Sequence, residues 1–125
     1  MKIHAKQTDE LSLSGFGKEA TEMLLRHDYS GLASRFGYAV AYDRETAAAI
    51  EADYLEAAAS PHAVASDEHC SITVSYFEPN SIGLFAVVEC MVPVTEETAV
   101  NMDLIVTGWD EDKHITVEGI TGVTW

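Results

Sequence analysis

A chain of 125 residues, 47% of them hydrophobic, is long enough to bury one core and falls in the size range of a single domain. Seven basic residues against 21 acidic ones leave a net charge of −14, which excludes phosphate-directed binding of DNA or RNA and opposes an anionic membrane surface. Charge of that sign favours solubility and attracts a basic partner.

The chain opens Met1-Lys2-Ile3-His4-Ala5-Lys6-Gln7, without the apolar stretch of a signal peptide, and no apolar run is long enough to span a bilayer. A cytoplasmic protein is expected. Up to about Gly17 the residues are polar and glycine-punctuated, which predicts a loose stretch or a short edge element. Ala20, Met23, Leu24 and His27 recur at helical spacing and predict a first helix from Lys18 to His27, with Glu19, Glu22 and Arg26 towards water. Asp28-Tyr29-Ser30-Gly31 breaks it, and a short second helix from Leu32 to Phe36 ends at Gly37, a suitable C-cap. The third helix is the clearest. Asp43 serves as N-cap, Glu45 suits the positive end, and Thr46 to Ala59 contains few breakers. Ala47, Ile50, Tyr54, Leu55 and Ala58 form its apolar stripe, while Glu45, Glu51, Asp53 and Glu56 lie mostly outside it. Ser60-Pro61 ends it.

After Pro61 the period changes from helical to alternating. Strands are predicted from Cys70 to Phe77, Leu84 to Val94, Ala99 to Thr107, and His114 to Ile120 with a possible extension to Trp125. Short breaks between them favour hairpins and a meander. A register in which opposed residue numbers sum to 160 in the first hairpin pairs Cys70 with Cys90, Ile72 with Val88 and Val74 with Ala86. A sum of 194 in the second pairs Val92 with Met102 and Cys90 with Leu104. Both put apolar side chains on one face throughout, and a slip of one residue would reverse that face. The opposite face is mixed: Thr73, Ser75, Phe85, Val87, Glu89, Met91, Asn101, Asp103, Ile105 and Thr107. Phe85, Val87, Met91 and Ile105 are too apolar to be left to water, and a second copy of the chain is the expected cover, giving a homodimer. The fold class is therefore α+β, one domain over residues 1–125, with N-terminal helices packed on a curved antiparallel sheet.

This order of elements, together with the string Leu24-Leu25-Arg26-His27-Asp28-Tyr29-Ser30-Gly31-Leu32-Ala33, resembles the nuclear transport factor two-like (cystatin-like) α+β roll superfamily. The architectural likeness covers most of the chain and the motif only those ten residues. The resemblance implies a cone between helices and sheet in which the enzymes of that fold place an acid–base pair. Members also include binding subunits, so the fold does not choose a function. Many members carry a strand between the second and third helices, where this chain has only the short Tyr38-Ala39-Val40-Ala41-Tyr42.

The core-facing positions of the first three strands carry no carboxylate, which counts against proton abstraction in that cone. Tyr29, Tyr38, Tyr42 and Tyr54, with His27 and Asp53, are the polar groups the helices could supply to a ligand pocket. Buried tyrosines more often tie their hydroxyl to backbone. Asp67-Glu68-His69-Cys70, with or without His62, matches no zinc spacing, so neither metal nor cofactor is expected. Cys70 and Cys90 are expected to stay reduced. Glu89 and Asp103 fall roughly diagonal to each other on the mixed face, a solvated patch or a carboxylate pair. Trp109-Asp110-Glu111-Asp112, an aromatic beside three carboxylates on a hairpin tip, is the partner-binding candidate, although such a tip is commonly just a solvated turn. Two functions are carried forward. One is a non-catalytic acidic binding protein of immunity or antitoxin type, directed at a basic partner. The other is a small-molecule pocket of isomerase or dehydratase type.

Overall fold

The computed structural model describes residues 1–61, 63–64, 72–109 and 111–124, the backbone alone at 63–64. Strand β1 (Lys2–His4) is followed by a 3₁₀ turn (Ala5–Gln7), helices α1 (Glu10–Leu25), α2 (Tyr29–Arg35) and α3 (Thr46–Ala59), and strands β2 (Ala63–Val64), β3 (Ile72–Tyr76), β4 (Leu84–Pro93), β5 (Thr98–Thr107) and β6 (Asp112–Thr124). The fold is α+β: three helices lie on an open antiparallel sheet of order β1-β6-β5-β4-β3, with β2 added parallel to the end of β6. Along the outer edge of β6 run β1, then a single bridge from Tyr38 to Val117, then β2. Cover of that kind protects an edge strand from unwanted pairing.

Helix α1 begins eight residues before the predicted Lys18. Asp9 caps it, accepting from Ser12 N and Ser12 Oγ, so the polar opening stretch holds the expected short edge element, β1, and then a helix cap where a loose stretch was the alternative. Gly17 lies inside the helix because the sheet comes very near. A Cβ there would stand 2.9 Å from Val88 Cγ1 and 3.1 Å from Ile72 Cγ2. His27 turns to a φ of 57° and its N–H donates to Leu24 O, while Asp28 N–H donates to Met23 O. The Asp28 carboxylate then caps α2 through Gly31 N–H. The second helix thus starts three residues before the predicted Leu32. Helix α3 has the predicted span, but Glu45, not Asp43, caps it. Its buried face is Ala49, Ile50, Tyr54 and Ala57, and Leu55 is exposed.

The sheet has the predicted parity and a register shifted by two residues in both hairpins. Val74 opposes Val88 and Ile72 opposes Cys90, while Val88 opposes Leu104 and Cys90 opposes Met102. Alternation fixes which face is buried, and turn chemistry fixes the absolute pairing. Thr95 sets it between β4 and β5, its Oγ1 accepting from the N–H groups of Glu97 and Thr98. Ala86, Val88, Cys90, Val92, Val100, Met102, Leu104 and Val106 are fully buried, and Val74, on the edge strand, is half-buried. The positions Asp67, Glu68, His69, Cys70 and His62 lie outside the described residues.

Candidate functional site

Two loops meet at one end of the sheet, and a cleft of about 250 Å³ opens between them, lined by Phe77, Pro79, Asn80, Gly83, Leu84, Phe85, Gly108, Trp109 and Lys113. Asn80 shapes the first loop. Its amide donates to Glu78 O and Leu84 O, and its oxygen accepts from Ile82 and Leu84 N–H. Gly83 (φ 73°) and Gly108 (φ 130°) adopt left-handed backbone that other residues avoid, and Gly108 N–H donates to Gly83 O at 2.9 Å. The Trp109 ring lies on that floor, close enough that a Cβ at Gly83 would meet it at 3.2 Å.

Phe85 enters the cleft through a β-bulge. Leu84 pairs with Thr107 and Ala86 with Val106, which leaves Phe85 as the extra residue. Strict alternation puts Phe85 on the outer face with Val87, Met91 and Ile105. The bulge turns it away, and its ring packs edge-on against Tyr76 at 5.7 Å and beneath Lys113 Nζ at 5.0 Å. Both neighbours belong to the helix-facing side, since Tyr76 pairs with the buried Ala86 and Lys113 with the buried Ile3. Trp109 and Phe77 remain 60% and 42% exposed. Glu78, between Phe77 and Pro79 in the chain, is exposed, as are Glu111 and Asp112, between Trp109 and Lys113. Asp112 holds a solvent-exposed ion pair with Lys2 at 3.5 Å. Asp110 lies outside the described residues. Of the described residues of the hairpin tip, Trp109 lines this larger cleft, and Glu111 and Asp112 are not among its lining. Its other members lie some 30 residues earlier, and the Asn80 and Gly83 turn signals alone hinted at them.

Tyr29 and Tyr54 lie 6.2 Å apart in a cluster with His27, Tyr54 buried within it. Tyr42 is 82% exposed at a φ of 56°. Tyr38 is buried and donates its hydroxyl to Asp53 Oδ2 at 2.5 Å. Arg44 grips both oxygens of the same carboxylate, at 2.9 and 3.1 Å, and also donates to Val40 O and Ala41 O. The Arg44 hydrogen bond, assisted by Tyr38, holds Asp53 below the ordinary carboxylate range. Burial and then Asp53 itself push the Tyr38 hydroxyl well above the usual tyrosine range. Such a pair neither takes up nor releases a proton near neutrality, and it clamps the connection before α3 onto that helix. A second cleft, of about 310 Å³, lies beside it between α3 and β6, lined by Asp53, Glu56, Ala57, Ile120, Thr121 and Gly122. None of the four tyrosines is among those residues.

On the outer face Glu89 stands directly opposite Asp103, not diagonal to it, because of the two-residue shift in register. Burial pushes the Asp103 carboxyl up, Glu89 and Glu118 add to that, and the amide of Asn101, donating at 3.0 Å, opposes it. Cys90 is a free thiol buried under α1, pushed up to about 12 by burial. Among the described residues no cluster of His, Cys, Asp and Glu is arranged to hold a metal, and no helix is long and apolar enough to cross a membrane. Comparison of the chain with family models, characterised proteins and solved structures finds no match.

Proposed function

We propose that this chain is a non-catalytic binding protein that holds a basic protein partner against its acidic surface, as an immunity or antitoxin protein holds its target. The observation that carries this reading is the Trp109 end of the sheet. Exposed aromatic side chains lie there in a cleft floored by hydrogen-bonded backbone, with the exposed Glu78, Glu111 and Asp112 close to them in the chain, on a molecule of net charge −14. A surface of that kind attracts and orients a cationic partner. The interior supports the same reading. Where an α+β roll enzyme would keep its acid and base, β4 and β5 present fully buried apolar side chains, those of β4 under α1. A pocket of isomerase or dehydratase type has less support, because Asp53, which lines the cleft between α3 and β6, is committed to Arg44 and Tyr38.

The test is affinity capture from the native cell at low and high salt, using the parent chain and a Glu78→Lys/Glu111→Lys variant, with the captured proteins identified. The expected result is one basic protein, held by the parent at low salt, released at high salt and missed by the variant. A neutral or acidic partner, or one that the variant retains, contradicts the proposal.

A further inference from the structure

We propose that the Trp109 cleft receives one aromatic or long aliphatic side chain from a lysine- or arginine-rich segment of the partner, whose flanking cations meet the carboxylates outside. This rests on the acidic-surface reading above and adds the chemistry of the contact. Three observations define the guest. The walls are Trp109, Phe77, Phe85, Leu84 and Pro79, a lining that repays burial of an apolar group. One face of Phe85 is already occupied by a cation, Lys113 Nζ 5.0 Å from its centroid, so that face of the ring is not open to a second one. Three exposed carboxylates adjoin the lining residues in the chain, Glu78 between Phe77 and Pro79, and Glu111 and Asp112 between Trp109 and Lys113. An apolar centre with a charged border is the arrangement of a binding hot spot.

The cleft is also set before any guest arrives. All four hydrogen bonds of the Asn80 side chain, the Gly108 to Gly83 bond and the Phe85 bulge hold its two loops without a ligand. Fixing the walls in advance removes the ordering cost that otherwise weakens association. Its position between loops at the end of strands favours a side chain inserted from above over an added strand.

The experiment uses three acetylated, amidated pentapeptides, Lys-Lys-Phe-Lys-Lys, five lysines, and Glu-Glu-Phe-Glu-Glu. Each is titrated at low salt into the isotopically labelled full chain, with the Trp109 indole N–H resonance followed by NMR. The phenylalanine-centred basic peptide is expected to bind about tenfold more tightly than pentalysine and to shift Trp109 and Phe77. Trp109→Ala should remove that gain and leave pentalysine binding unchanged, and Phe77→Ala should reduce it. Both positions are exposed, so both variants should fold. Equal binding of the two basic peptides, both released by salt, would overturn the cleft proposal and leave the acidic-surface reading standing. Failure of both basic peptides would count against both. Shifts at Trp109 that grow with protein concentration without peptide would mean that a second copy occupies the cleft, and would overturn the proposal.

Discussion

Tyr38 shows how a residue with catalytic potential becomes a structural clamp. Its hydroxyl is aimed at a carboxylate that Arg44 already holds in two places, and Arg44 in turn ties down two backbone carbonyls of the loop before α3. Tyr38→Phe removes one hydrogen bond to a charged group and is expected to cost about 1–2 kcal/mol at neutral pH. Asp53 is held below its unfolded value, so its contribution is present above that value, near 3.8, and is lost as pH falls through the lower folded value. The difference between parent and variant, measured by urea unfolding, should therefore shrink between pH 5 and pH 2. A difference that does not change with pH would mean that the Tyr38 hydroxyl stabilises something other than the Asp53 carboxylate. The sequence places Asp53 outside the apolar stripe of its helix and shows nothing of Arg44, because a link across nine residues and a loop leaves no periodic mark.

At the scale of elements, the alternation of β3 to β5 reveals which face is buried and leaves the register open by two residues. The Thr95 turn and the Asn80 loop decide it, through side-chain hydrogen bonds that a hydropathy pattern does not contain. The start of α1 is hidden for a similar reason: its glycines read as loop, whereas Gly17 marks the close approach of helix to sheet. Phe85 is the plainest case. A single extra residue in β4 moves its ring from the outer face to the Trp109 cleft, and a period-two pattern has no symbol for a bulge. Gly122 makes the same kind of contact as Gly17, between β6 and α3. A Cβ there would lie 2.1 Å from Ala57 O and 2.9 Å from Pro61 Cα. Backbone cannot yield as a side-chain tip does, so Gly122→Ala should push α3 off the sheet and cost on the order of 2–3 kcal/mol. An unchanged denaturation midpoint would mean that α3 does not pack there as described.

The whole molecule presents two distinct surfaces. One is the Trp109 end. The other is the outer sheet face, where Val87 opposes Ile105, Met91 lies nearby, and Glu89 opposes Asp103. We propose that a second copy covers this face, burying about 800 Å² per subunit. Repulsion between chains of net charge −14 and between the facing carboxylates opposes it, so salt should tighten the dimer. Lower pH should tighten it too, because Asp103, its carboxyl pushed up by burial and by Glu89 and Glu118, loses its charge before an ordinary aspartate does. Sedimentation at micromolar concentration checks this: a monomer under all conditions, or a dimer that survives Ile105→Glu, contradicts it.

A basic partner bound at the Trp109 end responds to salt in the opposite sense. The most direct test of the acidic-surface proposal is the affinity of the purified captured partner at 50 and 200 mM salt, for the parent chain and for the Glu78→Lys/Glu111→Lys variant. Affinity for the parent is expected to fall by about tenfold or more across that range, and the variant should bind weakly at both salt concentrations. An affinity that neither salt nor the charge reversals alter would show that the acidic surface is not what holds the partner.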